Sequence, residues 1–378
     1  VRVLVVTVVH DPADTRITRR QIGSLLDAGC AVTLAAPLRA YRRTPPEGVR
    51  GLDLPRAHGR HRLRAALAAR ALIALEAPEH DVVVLHDPEL LLALVGRVGR
   101  WARPGSRLPG AVVWDVHEDT GAALAMKAWL PAPTRRLVAA AVRAAEGWAE
   151  QNLYLTLAEE SYRARFAHPH PVVPNTVVVP VQAPPPPGDE RVVYLGRVTR
   201  ARGALDLVAA ARLLPEGVRV HVIGPADADA RPAIEAAVAR DLITWHGFVP
   251  NAEAMPLLQG ALAGVSLLHD QPNYARSQPT KVMEYMASGV PVVTTPNPSS
   301  VELVQAHSSG LVVPFDDPSA VAAAVISLRA DAGLRERLGA AGRAAAVATM
   351  DWATSAPVFV EQLRSWGRTG PRAQGRRG

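Results

Sequence analysis

SQPTKVMEYMASGVPVVTT, running from Ser277 to Thr295, sets turn, helix, cap and strand one after another and puts polar groups where a nucleotide needs them. Ser277 suits an N-cap, Pro279 the first helical turn and Gly289 the left-handed residue that ends a helix, so a short helix is predicted over Pro279 to Ser288. The β-branched run from Val290 to Thr294 then reads as a buried strand. Thr280, Lys281 and Glu284 fall in the first turn and a half, where unpaired backbone N–H groups and the positive end of the helix dipole favour a phosphate. Lys281 adds a full charge, and Glu284, one turn deeper, can accept hydrogen bonds from a ribose diol. The competing reading is an ordinary exposed pair, worth about a few tenths of a kcal/mol. Of the 42 Lys and Arg residues only Lys127 and Lys281 are lysine, so arginine is the default surface cation and a lysine here points to the compact charge that phosphate sites use.

Working outward, strands and helices alternate from the start of the chain. Arg2 to Val9, Ala31 to Ala35, Asp81 to Leu85, Ala111 to Val116 and Leu153 to Leu157 read as strands. Thr18 to Ala28, Arg62 to Glu76, Glu89 to Arg100 and Thr134 to Gln151 read as the helices between them, and an Arg- and Pro-rich loop fills the span before Arg62. Pro184 to Pro187 is a linker, because four prolines offer no ladder donor, and the pattern restarts beyond it. Six more strands follow, at Arg191 to Leu195, Val218 to Ile223, Leu242 to Trp245, Gly264 to Leu268, Val290 to Thr294 and Leu311 to Val313. The expected fold is α/β, with two doubly wound parallel-sheet (Rossmann-like) domains over 1–183 and 184–350 facing a cleft. A final helix over 351–366 is expected to pack back towards the first domain, and 367–378 to form a disordered basic tail.

Ligands of such sheets sit beyond the carboxyl ends of the strands. Polar residues or glycines recur there: His10 and Asp11, His86 and Asp87, His117 and Glu118, then Gly196 and Arg197, Gly224, His246 and Gly247, His269 and Asp270. Asp14 and Arg16, after the first strand, read either as a structural pair or as contacts to a second substrate.

Taken together, the helix motif, Leu195-Gly196-Arg197 leading to Arg202-Gly203, and the His246-Gly247-Phe248-Val249 turn resemble the retaining nucleotide-sugar glycosyltransferases of family four, which have the GT-B fold. HDPADTRITRR, VVLHDPELL and VVWDVHED in the first half look like the branch that builds bacterial surface polysaccharides and glycolipids. The resemblance implies a donor site in which Arg197, Arg202 and Lys281, with the helix start at Thr280, hold the diphosphate. Glu284 would take the ribose, the turn through His246, Gly247 and Phe248 the base, and Gly196 and Gly224 would line the site. It implies that His117 lies near the transferred sugar, that His117, Arg197, Arg202 and Lys281 carry catalysis, and that His10, Asp11, Arg16, His86, Asp87 and Glu118 face the acceptor. No cofactor and no metal are expected, the nucleoside diphosphate sugar being the substrate. The acceptor would be a sugar, a lipid-linked sugar or a small molecule. The family usually has an acidic residue eight positions before Glu284; Arg276 stands there, and Asp270 is a candidate replacement. The alternatives are a nucleotide-sugar epimerase on the same fold and a non-catalytic nucleotide- or sugar-binding protein.

Composition bounds the rest. One cysteine, Cys30, excludes an internal disulfide and suits a reducing cytosol. No apolar run reaches the roughly 18 residues of a membrane span, and Val1 to Val9 lacks the basic leader of a signal peptide, so a cytoplasmic protein is expected. Residues 1–183 hold 23 basic and 17 acidic residues, a bias that suits contact with an anionic membrane on its cytoplasmic face or arises from arginine-rich composition alone. Nucleic acid is not expected, for want of aromatic interleaving or a binding motif. Asp227 and Asp229 form a D-x-D pair of the kind that holds a metal in another transferase fold, and chance explains it better here.

Overall fold

The computed structural model describes residues 1–94, 110–117, 132–272, 274 and 278–370. The chain forms two compact units, one of Val1–Asn175 with Thr354–Gly378, the other of Thr176–Ala353.

The first unit is built on six parallel strands: β1 (Arg2–Val6), β2 (Ala31–Ala36), β3 (Val49–Asp53), β4 (Val82–Leu85), β5 (Ala111–Val116) and β6 (Tyr154–Leu157). Their order is β3-β2-β1-β4-β5-β6, so the winding reverses between β1 and β4. β3 lies inside the stretch read as a loop. It is an edge strand, largely exposed and interrupted by Gly51, and carries too little apolar alternation to show in the sequence. β1 stops at Val6 rather than Val9: Thr7 N–H still bonds to the Ala35 carbonyl, but the N–H groups of Val8 and Val9 turn to the Asp87 carboxylate. The helix expected from Thr18 opens earlier, as a π-helical turn over Thr15–Ile22 running into Gly23–Asp27, with the Asp14 carboxylate capping the N–H groups of Arg16 and Ile17.

The second unit repeats the plan with β7 (Arg191–Leu195), β8 (Arg219–Ile223), β9 (Ile243–Gly247), β10 (Ala263–Ser266), β11 (Val292–Thr294) and β12 (Gly310–Val312). The order β12-β11-β10-β7-β8-β9 is again parallel throughout, with its reversal between β7 and β10. Valine-rich strands form the middle of each core because both faces of each sheet are covered by helices.

The chain leaves the first unit before the proline run, which lies within the second unit and is followed by a bond from Gly188 N–H to the Gly260 carbonyl. The last helix, Trp352–Thr369, passes into the first unit, where Trp366 stacks on Tyr154 at 4.7 Å and Arg364 donates to the Ala28 carbonyl. Gly367 to Thr369, expected in the tail, continue this helix; residues 371–378 of that tail lie outside the described residues.

Candidate active site

From the reversal point of the second sheet outward, β7, β8 and β9 end on Gly196, Gly224 and Gly247. Gly196 N–H donates to the Ile223 carbonyl and Gly224 N–H to the Gly247 carbonyl, so successive strand tips are tied side by side. Gly224 has φ +147°, and a Cβ there would come within 2.0 Å of the Gly196 oxygen; only glycine permits this approach. The result is a backbone shelf at the carboxyl edge, over which the helix Thr280–Ala287 begins.

That helix has Pro279 at its N-cap and no side-chain cap; the expected cap, Ser277, lies outside the described residues, as does Arg276. Lys281 is not the exposed partner of Glu284. It is 8% exposed, its Nζ lies 4.0 Å from the centroid of the Tyr194 ring, and it has no hydrogen-bond partner among the described residues. Burial holds the ammonium well below the usual lysine range, the nearby Arg202 charge pushes the same way, and Glu284 opposes both. An unpaired buried amine costs free energy, so its persistence beside the shelf marks a place where an anion would be stabilised.

Of the other expected donor groups, Arg202 and Glu284 lie close enough to act on its charge. Arg197 is largely exposed and fixed by Asp227, Nε to Oδ1 at 2.7 Å. Asp229 accepts from the Arg200 backbone N–H at 3.1 Å. The D-x-D pair therefore braces the arginine loop, a role that spacing alone did not reveal. Arg202 lies against Tyr274, its Cζ 6.0 Å from the ring centroid. Glu284 accepts from Asn251 Nδ2 at 2.8 Å, which brings the carboxylate against the segment that follows the His246–Phe248 turn. The His246 ring points to His221, with Nε2 3.1 Å from His221 Nδ1, and Phe248 is exposed. Asn251 and Tyr194 carried no motif signal, because each acts through a neighbour distant in sequence. Asp270 is exposed.

At the reversal point of the first sheet, Asp87 is fully buried and accepts from Thr7 Oγ1 at 2.9 Å and from the N–H groups of Val8 and Val9; His10 Nε2 lies 3.3 Å away. Asp115, at the end of β5, accepts from Arg16 Nε and Nη2 at 2.8 and 2.7 Å, from Gln21 Nε2 at 2.9 Å and from Thr156 Oγ1 at 2.8 Å. Burial raises its pKa, but the Arg16 guanidinium outweighs that and holds it well below the carboxylate range. Arg16 is 4% exposed and also donates to the Val173 carbonyl. Its partner is thus Asp115 and not Asp14, and its guanidinium is occupied under the site rather than presented to an acceptor.

His117 Nδ1 lies 3.0 Å from the Asp115 carbonyl oxygen and its Nε2 3.0 Å from His10 Nε2, while His86 is buried with Nδ1 3.3 Å from Asp115 Oδ2. Burial lowers the proton affinity of both His86 and His117; at His117 the Asp115 carboxylate outweighs it and the net shift is upward, at His86 it does not. Asp11 takes the Ala13 N–H and Arg43 Nε; Glu118 lies outside the described residues. Ligand atoms of His86, Asp115 and His117 lie within 4.8 Å of one another. The donor set fits a cation poorly, since Asp115 is already surrounded by donors and faces the full charge of Arg16.

Residues 189–331, which contain every donor-site group named above, match the family model for glycosyl transferases group 1. Over this stretch the chain is similar to the group 1 glycosyl transferases. WcaL of Escherichia coli (strain K12), named for glycosyl transfer in colanic acid biosynthesis, is 34% identical over 151 residues, which is 38% of this chain and 36% of that protein. The match therefore spans little more than a third of that relative. Solved structures share the fold over nearly the whole chain. Sucrose-phosphate synthase from Thermosynechococcus elongatus superimposes with a TM-score of 0.69 at 19% identity, over 96% of this chain and 98% of that one. Anabaena Alr3699/HepE, crystallised with UDP-glucose, gives 0.69 at 14% identity over 96% and 99%. The two six-stranded parallel sheets are those of the GT-B fold.

Proposed function

We propose that the chain is a retaining, nucleotide-sugar-dependent glycosyltransferase that passes a hexose-type sugar from a nucleoside diphosphate donor to a cell-surface polysaccharide, glycolipid or similar acceptor. The observation that carries the reading is Lys281, a buried amine with no hydrogen-bond partner among the described residues, set beside the glycine shelf of a stretch similar to the group 1 glycosyl transferases. The donor diphosphate is assigned to Lys281, Arg197, Arg202 and Thr280, the ribose to Glu284, and the base to the turn at His246, Gly247 and Phe248. Breaking the sugar–phosphate bond builds negative charge on the leaving diphosphate, and fixed cations at that point lower the barrier without reorganising. Asp227 holds Arg197 in place beforehand, so little ordering is left to do. The first unit is assigned the acceptor. His117, with Nδ1 tied to the Asp115 carbonyl and Nε2 beside His10 Nε2, is assigned a place near the transferred sugar. A cytoplasmic setting with peripheral contact to anionic lipid belongs to the same proposal; among the described residues no helix is long and apolar enough to cross a membrane.

The test is thermal stabilisation of the purified protein by a panel of nucleoside diphosphates and their sugars, since a ligand that binds only the folded state raises Tm. UDP-glucose is the first member, given its presence in the Anabaena neighbour. A selective shift, followed by transfer with retained anomeric configuration, supports the reading; no shift with any donor removes its basis.

A further inference from the structure

The helix Arg62–Glu76 is as apolar on its outer face as on its inner one. Ala65, Ala69 and Ile73 pack into the core of the first unit, while Leu63, Leu67 and Leu75 stand 67%, 57% and 75% exposed. With Ala71 they follow one another at four-residue steps, the spacing that lines up neighbours along one side of a helix. A helix at the surface of a soluble domain ordinarily turns charged and polar residues outward. Here the outward ridge is leucine and alanine.

Along the chain segment that carries the ridge the charges have one sign. From Pro55 to Leu75 the chain carries Arg56, Arg60, Arg62, Arg64 and Arg70 and no acidic residue. Glu76, the single acid of the helix, is buried and held by Arg50. Arg62 pairs with Glu89, and Arg70 donates to the Ala93 carbonyl; Arg60 and Arg64 are exposed beside Leu63. Four of the five arginines cluster at the amino end.

We propose that this face docks on an anionic lipid bilayer, with the leucines entering among the headgroups and the arginines at the amino end of the helix pairing with lipid phosphates. A surface helix with exposed leucines and a basic end can bind through buried apolar area plus attraction to anionic lipid. A protein partner fits less well. A helix of 15 residues is about 22 Å long and about 10 Å across, so one face offers roughly 200 Å², against about 800 Å² per partner in a stable interface. A second copy fits worst, because a two-fold contact sets the same surface against itself and brings the arginine fringes together.

The placement has a functional consequence. The loop from β3 into the helix bonds Ala57 N–H to the Val8 carbonyl, and Arg62 pairs with Glu89 next to the His86–Asp87 turn. The basic end of the helix therefore lies at the same sheet edge as His10, His86 and His117, and docking would bring that edge to the lipid. The inference names the surface for the peripheral contact proposed above and does not depend on sugar transfer.

Co-sedimentation of the full chain with vesicles of phosphatidylcholine, and of phosphatidylcholine containing phosphatidylglycerol, tests it. Binding is expected to the anionic vesicles, weakened by salt, and reduced at least about tenfold by Leu63→Ser with Leu67→Ser at unchanged Tm. Arg60→Glu with Arg64→Glu should reduce it as well. Absence of binding to either vesicle, or equal binding by the leucine variant, overturns the proposal. A concentration-dependent dimer that the leucine variant dissolves, with no vesicle binding, overturns it too and assigns the face to a second copy. Nucleotide-induced stabilisation measured on the same samples is independent: its loss alone would count against the transferase reading and leave the lipid surface standing.

Discussion

Lys281 Nζ and the Tyr194 ring face each other at 4.0 Å inside the second unit, and no carboxylate or carbonyl of the described residues takes a proton from that amine. A cation over an aromatic face gains some attraction, but far less than the hydration it gives up. The pair is therefore a poor structural device, and the phosphate contact proposed for Lys281 would supply what the ring does not.

Lys281→Met should separate the two roles. In the folded protein the amine sits below its ordinary value of 10.5, so between the depressed value and 10.5 the unfolded chain binds the extra proton. Stability rises with pH across that window and is lost as pH falls towards the folded value. Methionine removes this dependence. The variant should melt higher at neutral pH, by roughly 2–4 °C for each kcal/mol regained, while nucleoside diphosphate affinity falls about tenfold or more. Calorimetric melts at several pH values, with titration by UDP, check both; a lower Tm together with unchanged affinity would refute the assignment.

Glu284→Ala should act on binding alone. The carboxylate is half-buried and accepts from Asn251 Nδ2, a hydrogen bond of modest worth to the fold. Nucleotide affinity should fall about tenfold to a hundredfold with little change in Tm. Equal affinity in variant and parent would remove Glu284 from the ribose site.

Asp115→Asn should destabilise the first unit by about 3–5 kcal/mol, because it leaves the Arg16 guanidinium buried without its counter-charge. The native carboxylate titrates well below 3.8, so its contribution is present above that value and lost as pH falls through the folded value. The variant should show a shallower acid limb in urea denaturation followed against pH. His117 gives a second readout. Burial lowers its proton affinity and Asp115 raises it above 6.5, so the asparagine variant should titrate His117 at lower pH in an NMR titration.

Gly224→Ala should damage the shelf. The added carbon would stand 2.0 Å from the Gly196 oxygen at a backbone angle of +147°, and the strand tips would have to part. A loss of about 2–3 kcal/mol in stability and of nucleotide binding is expected, read by denaturant melts and by the same titration.

The alternating elements were legible because each is punctuated locally. Arg62–Glu76, Ala111–Val116 and Arg191–Leu195 run over the residues that periodicity picks out, and Gly289 has the left-handed φ of +66° that its place after a helix requires. β3 was not legible, since an exposed edge strand with a glycine carries no buried-face pattern. The competing reading of Lys281 and Glu284 as an exposed ion pair is excluded only by the burial of Lys281, because sequence spacing fixes which residues share a helix face and not what covers that face.

The sequence by itself determined the α/β pattern, the repeated half, the glycine and proline punctuation and the kinds of chemistry gathered at the strand ends, all of which depend on residues within a few positions of one another. Only the tertiary structure decided where each charge goes. Arg16 passes over Asp14 to reach Asp115, 99 residues away, Arg197 takes Asp227, Glu284 takes Asn251, and Lys281 is left facing Tyr194. Those pairings are set by sheet order, which brings distant strand ends to one edge, and by burial, which makes a charge worth holding or costly to leave alone.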